Sequence, residues 1–392
     1  MRPLDGITVV ALEQAVAAPF ATRQFADLGA RIIKLERPGA GDFARAYDEN
    51  VRGMSAYFVW LNRGKESLTL DLKKPAGREV IDRLLADADV FIQNLAPGAA
   101  DRLGLSARAL HPRYPRLVVC DISGYGDSGP YRDKKAYDLL IQSEAGLVSI
   151  TGTPEQPSKV GASVADICTG MYAYSGVLAA LLQRARTGKG SRVEVSMFEA
   201  LCEWMLQPLL YAHFAAKPIP RTGADHASIV PYGRFTAADG KDVMMGIQNE
   251  REWAVFCDKV LGRPELANDS RFNSNSRRLQ NREPLLRIVR EVFGSMSAEQ
   301  LVARLDAAGI ANARMNEMQE VWDHPQLKAR GRWTEMGSPV GTLPVLRPPA
   351  THSDFDPTIG AVPAVGQHTV AILGALGYSA ADIERLRAEG AV

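Results

Sequence analysis

The sequence has little of several features that would define a class of protein on their own. Only four cysteines occur in 392 residues, and they form no C-x-x-C motif; they are Cys120, Cys168, Cys202 and Cys257. A disulfide framework and a structural zinc site are therefore not expected. The cysteines are instead expected to be buried, reduced thiols in a cytoplasmic protein. The chain carries 46 Lys and Arg against 45 Asp and Glu. This balance argues against a nucleic-acid-binding protein that works through a broad basic face.

Long apolar segments and common catalytic motifs are also missing. No window approaches 18 uninterrupted apolar residues, so no transmembrane helix is predicted. Asp5 and Glu13 interrupt the region where a signal peptide needs an apolar run. The sequence contains no P-loop and no G-x-S-x-G motif, and its six histidines are scattered, which disfavours nucleotide hydrolysis and serine-hydrolase chemistry.

One segment matches the dinucleotide-binding motif G-x-G-x-x-G. It runs from Gly124 to Gly129, but Pro130 and several charged residues follow where that motif requires a helix. We interpret the segment as a tight turn whose backbone a ligand can approach, and we do not predict a nicotinamide or flavin site.

The first 200 residues alternate between short β-branched segments and helical patterns. Helices begin near Pro19 and Pro75, and strands are predicted at residues 7–12, 30–36, 68–72, 89–95 and 117–122. Nearly continuous apolar strands separated by helices indicate a parallel sheet covered on both faces. The predicted fold class is α/β, with a large doubly wound, Rossmann-like domain.

The pattern changes after a further strand at residues 192–197 and a long apolar helix at 198–214. A smaller α/β domain follows, with a hairpin that turns at Asp239-Gly240 and a helix with a capping box at Ser297. The predicted organisation is a large domain at 1–214, a linker at 215–231, the small domain at 232–329, and a linker and C-terminal return to the large domain at 330–392.

Asp166 is the most informative carboxylate in the sequence. It stands among small and apolar residues in the segment GASVADICTG, just ahead of a helix predicted at 171–184. Such a carboxylate either caps the helix by accepting backbone N–H bonds or takes part in chemistry. Both interpretations stay open, because the same N–H donors can also stabilise charge on a bound carbonyl.

Cationic side chains follow the predicted strand ends, where ligands of open α/β sheets bind. They are Arg37, Arg45, Lys73, Arg102 and Lys135. Each alone is typical of a solvated surface, but their shared position indicates a polyphosphate ligand, since arginine binds phosphate bidentately.

Several segments together resemble the class III coenzyme A transferases over essentially the whole chain. They include LDGITVVALEQ, DLGARIIKLERPGAGDFAR, GYGDSGPY, GASVADICTG and TGKGSRVEVSMFEAL. The resemblance implies that Asp166 is the catalytic nucleophile, which forms an acyl anhydride and then an aspartyl-CoA thioester. It also implies acyl-CoA as the co-substrate, with no metal and no redox cofactor. An aspartate needs no base to be anionic at pH 7, which fits this role.

The resemblance further implies a set of coenzyme contacts and a homodimer of two interlocked chains. The implied coenzyme contacts are Val16, Arg37, the run Leu70-Asp71-Leu72-Lys73, Asn94, Arg102, Lys135, Tyr137 and Asp138. Val16 stands where some members place a glutamine, although Gln14 lies two residues before it.

The carboxylate acceptor is less well defined by the sequence. The glycine-rich loop that covers the aspartate in the formyl-CoA branch has no counterpart between Arg221 and Gly233, so the segment around His226 and Ser228 is the predicted cover. This departure points away from formyl-CoA and oxalate. Candidates to contact the acceptor are Gln14, Arg45, Arg221, Arg234 and His226. The arginines favour a C4–C5 dicarboxylate such as itaconate, mesaconate, succinate or glutarate, with succinyl-CoA as donor, and the sequence looks most similar to bacterial itaconate-type transferases.

Two alternatives remain. The α-methylacyl-CoA racemases share the fold but place a histidine immediately before the aspartate that here is Asp138. Tyr137 stands there, and tyrosine titrates too high for a two-base proton exchange near neutral pH. A non-catalytic CoA-binding protein is disfavoured because Asp166 is intact in its motif.

Overall fold

The computed structural model describes residues 1–215 and 218–392, so two residues of the predicted linker 215–231 lie outside the described residues. The strands are β1 Thr8–Leu12, β2 Arg31–Glu36, β3 Lys65–Thr69, β4 Val90–Gln93, β5 Val118–Ser123, β6 Arg192–Ser196, β7 Tyr232–Thr236, β8 Asp242–Gly246, β9 Asn312–Arg314, β10 Trp333–Met336 and β11 Leu343–Leu346.

The α-helices alternate with these strands in the first part of the chain. They are α1 Ala17–Asp27, α2 Ala56–Leu61, α3 Pro75–Ala86, α4 Ala99–Arg102, α5 Ala107–Leu110, α6 Asp138–Glu144, α7 Leu147–Ile150, α8 Val164–Thr187, α9 Met197–Trp204, α10 Leu206–Ala215, α11 Glu250–Val255, α12 Asn275–Gln280, α13 Arg282–Phe293, α14 Ala298–Ala307, α15 Met318–Trp322, α16 Pro325–Ala329, α17 Thr369–Ala375 and α18 Ala380–Ala388. Short 3-10 helices lie at Phe43–Ala46 and Pro264–Ala267, and a π-helical turn at Phe256–Leu261.

The described chain divides into two compact units. The first comprises Met1–Leu147, Val160–Gln207 and Leu327–Val392, and the second comprises Val148–Lys159 and Pro208–Gln326. Residues from both ends of the chain therefore build the first unit.

The first unit contains a six-stranded sheet in the order β3-β2-β1-β4-β5-β6. All five neighbouring pairs are parallel, which confirms the predicted doubly wound α/β fold. The strand order reverses between β1 and β4, whose residues Val9 and Val90 are paired. In sheets of this topology, the loops at the carboxyl ends of these two strands border a crevice that binds ligands.

Most strands of this sheet coincide with the predicted segments because they are buried and apolar. The third strand is the exception, since it spans Lys65–Thr69 and not 68–72. Lys65 and Ser67 are buried there with polar partners, Glu13 for the lysine and Glu36 for the serine. A polar strand of this kind is invisible to hydrophobic patterning.

Helix α8 carries Asp166 and begins earlier than predicted. It starts at Val164 and not at 171, and it ends where Gly188 adopts a left-handed conformation with φ of 72°. The helix is long and apolar enough to cross a membrane by length and composition alone; in the first unit it packs against α1, α9 and the sheet. At Gly170 the packing is so close that a Cβ would lie 2.7 Å from the Ala17 carbonyl oxygen of α1.

The single helix predicted at 198–214 is wrong. The structure has two helices there, α9 and α10, with Met205 between them. Pro208 supplies the reason: it has no N–H to donate to the Trp204 carbonyl, and its ring would clash with that carbonyl in a continuous helix.

The second unit has an antiparallel sheet in the order β7-β8-β9. The hairpin between β7 and β8 confirms the predicted turn at Asp239-Gly240, where Gly240 has φ of 77°. The capping box at the start of α14 is confirmed as well, since the Ser297 and Gln300 side chains each accept the other's backbone N–H bond.

Candidate active site

Asp166 is the third residue of α8, and a second carboxylate caps this helix. Asp138 Oδ1 accepts the backbone N–H of Ala165 at 2.8 Å and that of Asp166 itself at 3.3 Å. The Gln142 side chain donates to Asp138 Oδ2 at 2.7 Å and fixes the orientation of that carboxylate. The interpretation of Asp166 as the capping residue is therefore wrong: Asp138 caps the helix, and the Asp166 side chain is left to other contacts.

The electrostatic surroundings of Asp166 hold back its ionisation. The side chain is half-buried, and burial, reinforced by the nearby Asp138 carboxylate, raises the pKa of Asp166 from 3.8 to about 7. The expectation that Asp166 is anionic at pH 7 without assistance therefore needs correction for this structure, because its ionisation falls near neutral pH. A raised pKa also makes a carboxylate more basic, and hence more nucleophilic once it is ionised.

Tyr47 lies close enough to Asp166 to respond to its charge. Burial raises the pKa of Tyr47 to about 12, and the negative charges of Asp42 and Asp166 add to the effect. The Tyr47 hydroxyl therefore stays protonated near neutral pH. Sequence reasoning missed this residue, because nothing in the segment after β2 indicates a return toward α8.

Three of the residues predicted to contact ligands meet at the carboxyl edge of the sheet. The backbone N–H of Gln14 donates to Asn94 Oδ1 at 2.9 Å, and Asn94 Nδ2 donates to the Gln14 carbonyl at 2.8 Å. The Arg37 guanidinium donates to Gln14 Oε1 at 3.3 Å. These contacts join the loops after β1, β2 and β4 at the point where the strand order reverses.

The other predicted coenzyme contacts follow the ends of β3, β4 and β5. Leu70 is buried, and its N–H donates to the Glu36 carbonyl. Val16 is also buried, just before α1. Leu72 is buried as well, whereas the side chains of Lys73, Arg102, Lys135 and Tyr137 are exposed. The loops after all of the first five strands thus carry a cation or an amide, as a polyphosphate ligand requires.

Arg45 has protein partners in the structure. Its guanidinium donates to Glu36 at 2.7 and 2.8 Å, donates to the Pro363 carbonyl at 3.2 Å, and stacks on the Phe58 ring at 3.7 Å. These contacts favour a structural role for Arg45 over the predicted contact with an acceptor carboxylate.

The candidates in the second unit are also engaged with the protein. Arg221 donates to three backbone carbonyls, those of Ser149, Thr153 and Pro154, at 2.8 to 3.1 Å. His226 Nδ1 accepts N–H bonds from the backbone of Ser228 and Ile229, both at 3.1 Å. The Arg221 contacts favour a structural role in which it holds this loop, and the His226 contacts engage its Nδ1 with the backbone of its own segment.

A cleft of about 580 Å³ opens near the carboxyl ends of β4 and β5. Arg192 dominates one wall, with ion pairs of 2.7 to 3.2 Å to Asp121, Asp127 and Glu194. Asp166 does not line this cleft. We therefore place the candidate site at Asp166 and at the sheet edge formed by Gln14 and Asn94, and not at the cleft. These residues supply the carboxylate with the raised pKa and the predicted ligand contacts.

The chain is similar over most of its length to several known proteins. Residues 4–369 match the model of CoA-transferase family III. The chain is 34% identical over 397 residues to the succinyl-CoA:glutarate CoA-transferase of Mus musculus, covering 100% of this chain and 91% of that one. It is 31% identical over 396 residues to the succinyl-CoA–D-citramalate CoA-transferase of Chloroflexus aurantiacus, covering 99% and 98%. The crystal structure of a CAIB/BAIF family protein from Brucella suis superposes with a TM-score of 0.84 at 35% identity, covering 96% of this chain and 99% of that one.

The chain belongs to CoA-transferase family III. It is a class III CoA-transferase, and acyl-CoA is its co-substrate. This confirms the class of enzyme and the family that the sequence motifs indicate.

The raised pKa of Asp166 predicts a stability cost. The folded pKa of about 7 lies above the ordinary value of 3.8, so the unfolded chain loses this proton first as the pH rises. Stability therefore falls between these two pH values, and the cost is complete above pH 7. Asp166→Asn is expected to raise the free energy of unfolding at pH 8 by up to about 4 kcal/mol. The same substitution should change it little near pH 4. Urea denaturation at both pH values measures this, and an equal effect at the two pH values would contradict it.

Proposed function

We propose that Asp166 is the nucleophile of a CoA transfer between an acyl-CoA donor and a dicarboxylate. Asp166 Oδ attacks the donor thioester carbonyl, the C–S bond breaks, and an acyl–aspartyl anhydride and CoA thiolate form. The thiolate attacks the aspartyl carbonyl of the anhydride, which releases the donor acid and leaves an aspartyl-CoA thioester. An acceptor carboxylate then attacks this thioester, and the released thiolate takes the acyl group from the new anhydride.

The observation that carries this proposal is the position of Asp166 in the first turn of α8. Each step places negative charge on the oxygen of the carbonyl that is attacked at Asp166. The partial positive charge of the helix N-terminus stabilises that charge. Asp138 occupies the helix cap, so the cap and the nucleophile are two separate carboxylates.

The coenzyme is proposed to lie along the sheet edge that carries Arg37, Gln14 and Asn94. Arg37 is exposed, and within the described residues its guanidinium donates to the Gln14 side-chain amide, so it can turn to a phosphate. Charge-assisted hydrogen bonds are the strong ones, and their loss raises KM when they act equally in ground and transition states.

Arg37→Met is therefore expected to raise KM for acyl-CoA about 10- to 100-fold with little change in kcat. The matched control is Arg31→Met in β2, because Arg31 is exposed and pairs with Glu66 at 2.8 Å. Steady-state kinetics at varied acyl-CoA measure the effect. Equal KM values in the two variants would contradict the proposed coenzyme position.

Succinyl-CoA is the proposed donor and a C4–C5 dicarboxylate the proposed acceptor. Both relatives described above carry succinyl-CoA in their names, and their acceptors, glutarate and D-citramalate, are five-carbon dicarboxylates. Itaconate also has five carbon atoms in total and stays among our candidates. A panel of glutarate, citramalate, itaconate, mesaconate, oxalate and formate with succinyl-CoA, read by mass spectrometry of the acyl-CoA products, tests this. Turnover of oxalate or formate alone would contradict it.

The working enzyme is proposed to be an interlocked homodimer. This proposal is supported by large apolar side chains that are exposed on two helices of the single chain. On α8 these are Met171, Tyr172 and Leu182, which is 59% exposed. On α10 they are Leu206, Leu209, Leu210 and Phe214. Apolar side chains gathered on helices in this way are typical of interfaces between subunits.

Leu182→Glu is expected to weaken the dimer, because a carboxylate would have to be buried at the interface. Gln183→Glu, at the next residue of the same helix and also exposed, is the matched control because it adds the same single negative charge. Light scattering after size-exclusion chromatography over a concentration series measures the mass. A wild-type chain that is monomeric at every concentration would contradict the homodimer.

A further inference from the structure

A group of charged side chains is buried beneath the loop that follows β1. Glu13, Lys34, Asp42 and Lys65 are each at most 3% exposed, and we call them the buried ionic network. Lys34 Nζ lies 2.8 Å from Asp42 Oδ2 and 3.3 Å from Glu13 Oε1, and Lys65 Nζ lies 2.7 Å from Glu13 Oε1. The network thus joins the loop after β1 to β2, β3 and the loop before Phe43–Ala46.

The charges of this network depend on one another. Burial alone would raise the pKa of Glu13, but Lys65 and Lys34 outweigh it and lower that pKa. Burial lowers the pKa of Lys65 to about 7 despite the attraction of Glu13. Buried ion pairs rarely add much stability over apolar residues, and their best-attested use is to specify one geometry. The role of this network is therefore sought in the backbone geometry that it fixes.

The network contacts a strained turn of the backbone. Ala15 has φ of 60°, a left-handed conformation that residues with a Cβ rarely adopt. Its N–H donates to Asp42 Oδ1 at 3.2 Å, while Lys34 holds the other oxygen of that carboxylate. On the opposite side, Asn94 bonds both the N–H and the carbonyl of Gln14. The turn is thus held from both sides.

This turn connects the sheet edge to the helix of the nucleophile. It carries Gln14, whose side chain accepts from Arg37, and it leads into α1. The Ala17 carbonyl and Phe20 of α1 press against Gly170, which lies one helical turn after Asp166. A shift of the turn would therefore move the coenzyme edge and α1 together.

We propose that the buried ionic network is a positioning device for acyl-CoA binding. Asp42, oriented by Lys34, holds Ala15 in its left-handed conformation and thereby sets Gln14 against Arg37 and Asn94. The inference rests on the proposed function, in which this edge contacts the coenzyme. Asp42 and Lys34 act through the turn and do not touch the reacting atoms, so they are positioning residues.

The test uses Asp42→Ala and a second-site change at the strained residue. Asp42→Ala is expected to raise KM for succinyl-CoA about 10-fold. The kcat, calculated from the amount of enzyme that can form the CoA thioester, should stay within about twofold of the wild-type value. Loss of structure alone would lower the fraction of active enzyme and leave KM unchanged. Adding Ala15→Gly should recover at least about half of the KM increase on a logarithmic scale, because glycine adopts positive φ without strain. Ala15→Gly alone should change KM less than about twofold.

An Asp42→Ala chain with wild-type KM would overturn the proposal, and so would a double variant with the KM of Asp42→Ala. If Asp42→Ala does not fold, Ala15→Val carries the same test, since a β-branched residue cannot keep this conformation without strain. A folded Ala15→Val enzyme with wild-type KM would overturn the proposal as well. Failure of the proposed function is distinguishable, because the wild-type enzyme would then form no CoA thioester.

Discussion

Asp166→Asn is expected to lower kcat for CoA transfer by about 10⁴-fold or more. Asparagine keeps the shape of the side chain and its place in the first turn of α8, but its amide oxygen is a poor nucleophile and cannot form the acyl anhydride. Asp166→Glu keeps a carboxylate and displaces it by one methylene, so most of the activity should be lost there too. Initial rates with saturating donor and acceptor measure both effects.

The same Asp166→Asn chain supplies its own control for folding. Because the raised pKa of Asp166 costs stability above pH 7, the inactive variant should unfold at a higher denaturant concentration than the wild-type chain at pH 8. Inactivity together with increased stability identifies the loss as one of chemistry. An Asp166→Asn enzyme with more than about a hundredth of the wild-type kcat would contradict the role of Asp166.

The rate is also expected to depend on pH through the ionisation of Asp166. Only the carboxylate form attacks, and its pKa is about 7 because of burial and of Asp138. The value of kcat/KM should therefore rise about tenfold per pH unit below 7 and level off above it, so that pH 5.5 gives about 30-fold less than the plateau. A donor and an acceptor whose own groups do not titrate in this range keep the profile assignable to the enzyme.

Asp138→Asn tests the cause of this profile. The asparagine oxygen can still accept the N–H bonds of Ala165 and Asp166, but the negative charge is gone. The midpoint of the pH profile should therefore shift below that of the wild-type enzyme, and activity at pH 5.5 should rise relative to the plateau. A midpoint that moves upward, or does not move, would show that Asp138 does not act through its charge.

Apolar segments of the sheet could be predicted from the sequence, and polar segments could not. Four of the first five strands lie where β-branched residues cluster, because burial on both faces leaves a hydrophobic run. β3 begins at Lys65, three residues before its apolar part, because the lysine is held by Glu13, 52 positions away. A contact at that distance leaves no local pattern for sequence reasoning to read.

The site could be located from the sequence only in part. Asp166 could be singled out because it is a carboxylate among small and apolar residues. The start of α8 could not be predicted, because the residue that caps the helix is Asp138, which is distant in the sequence. The pKa of Asp166 depends on that same distant carboxylate. Arg45 illustrates the converse: its position after β2 indicates ligand binding, yet its contacts are with Glu36, Phe58 and Pro363. In physical terms, the sequence gives the type of each residue directly. The partners and the burial of a residue are set only when distant segments come together in the fold.

The central claim is that CoA becomes covalently bound to Asp166. The most direct measurement is the intact mass of the enzyme after incubation with succinyl-CoA in the absence of acceptor, followed by hydroxylamine treatment and peptide mapping. The wild-type chain should gain the mass of CoA in thioester linkage, lose it with hydroxylamine, and carry the resulting hydroxamate on Asp166. The Asp166→Asn chain should gain nothing. A wild-type enzyme that turns over without this adduct, or an adduct that persists in Asp166→Asn, would contradict the claim.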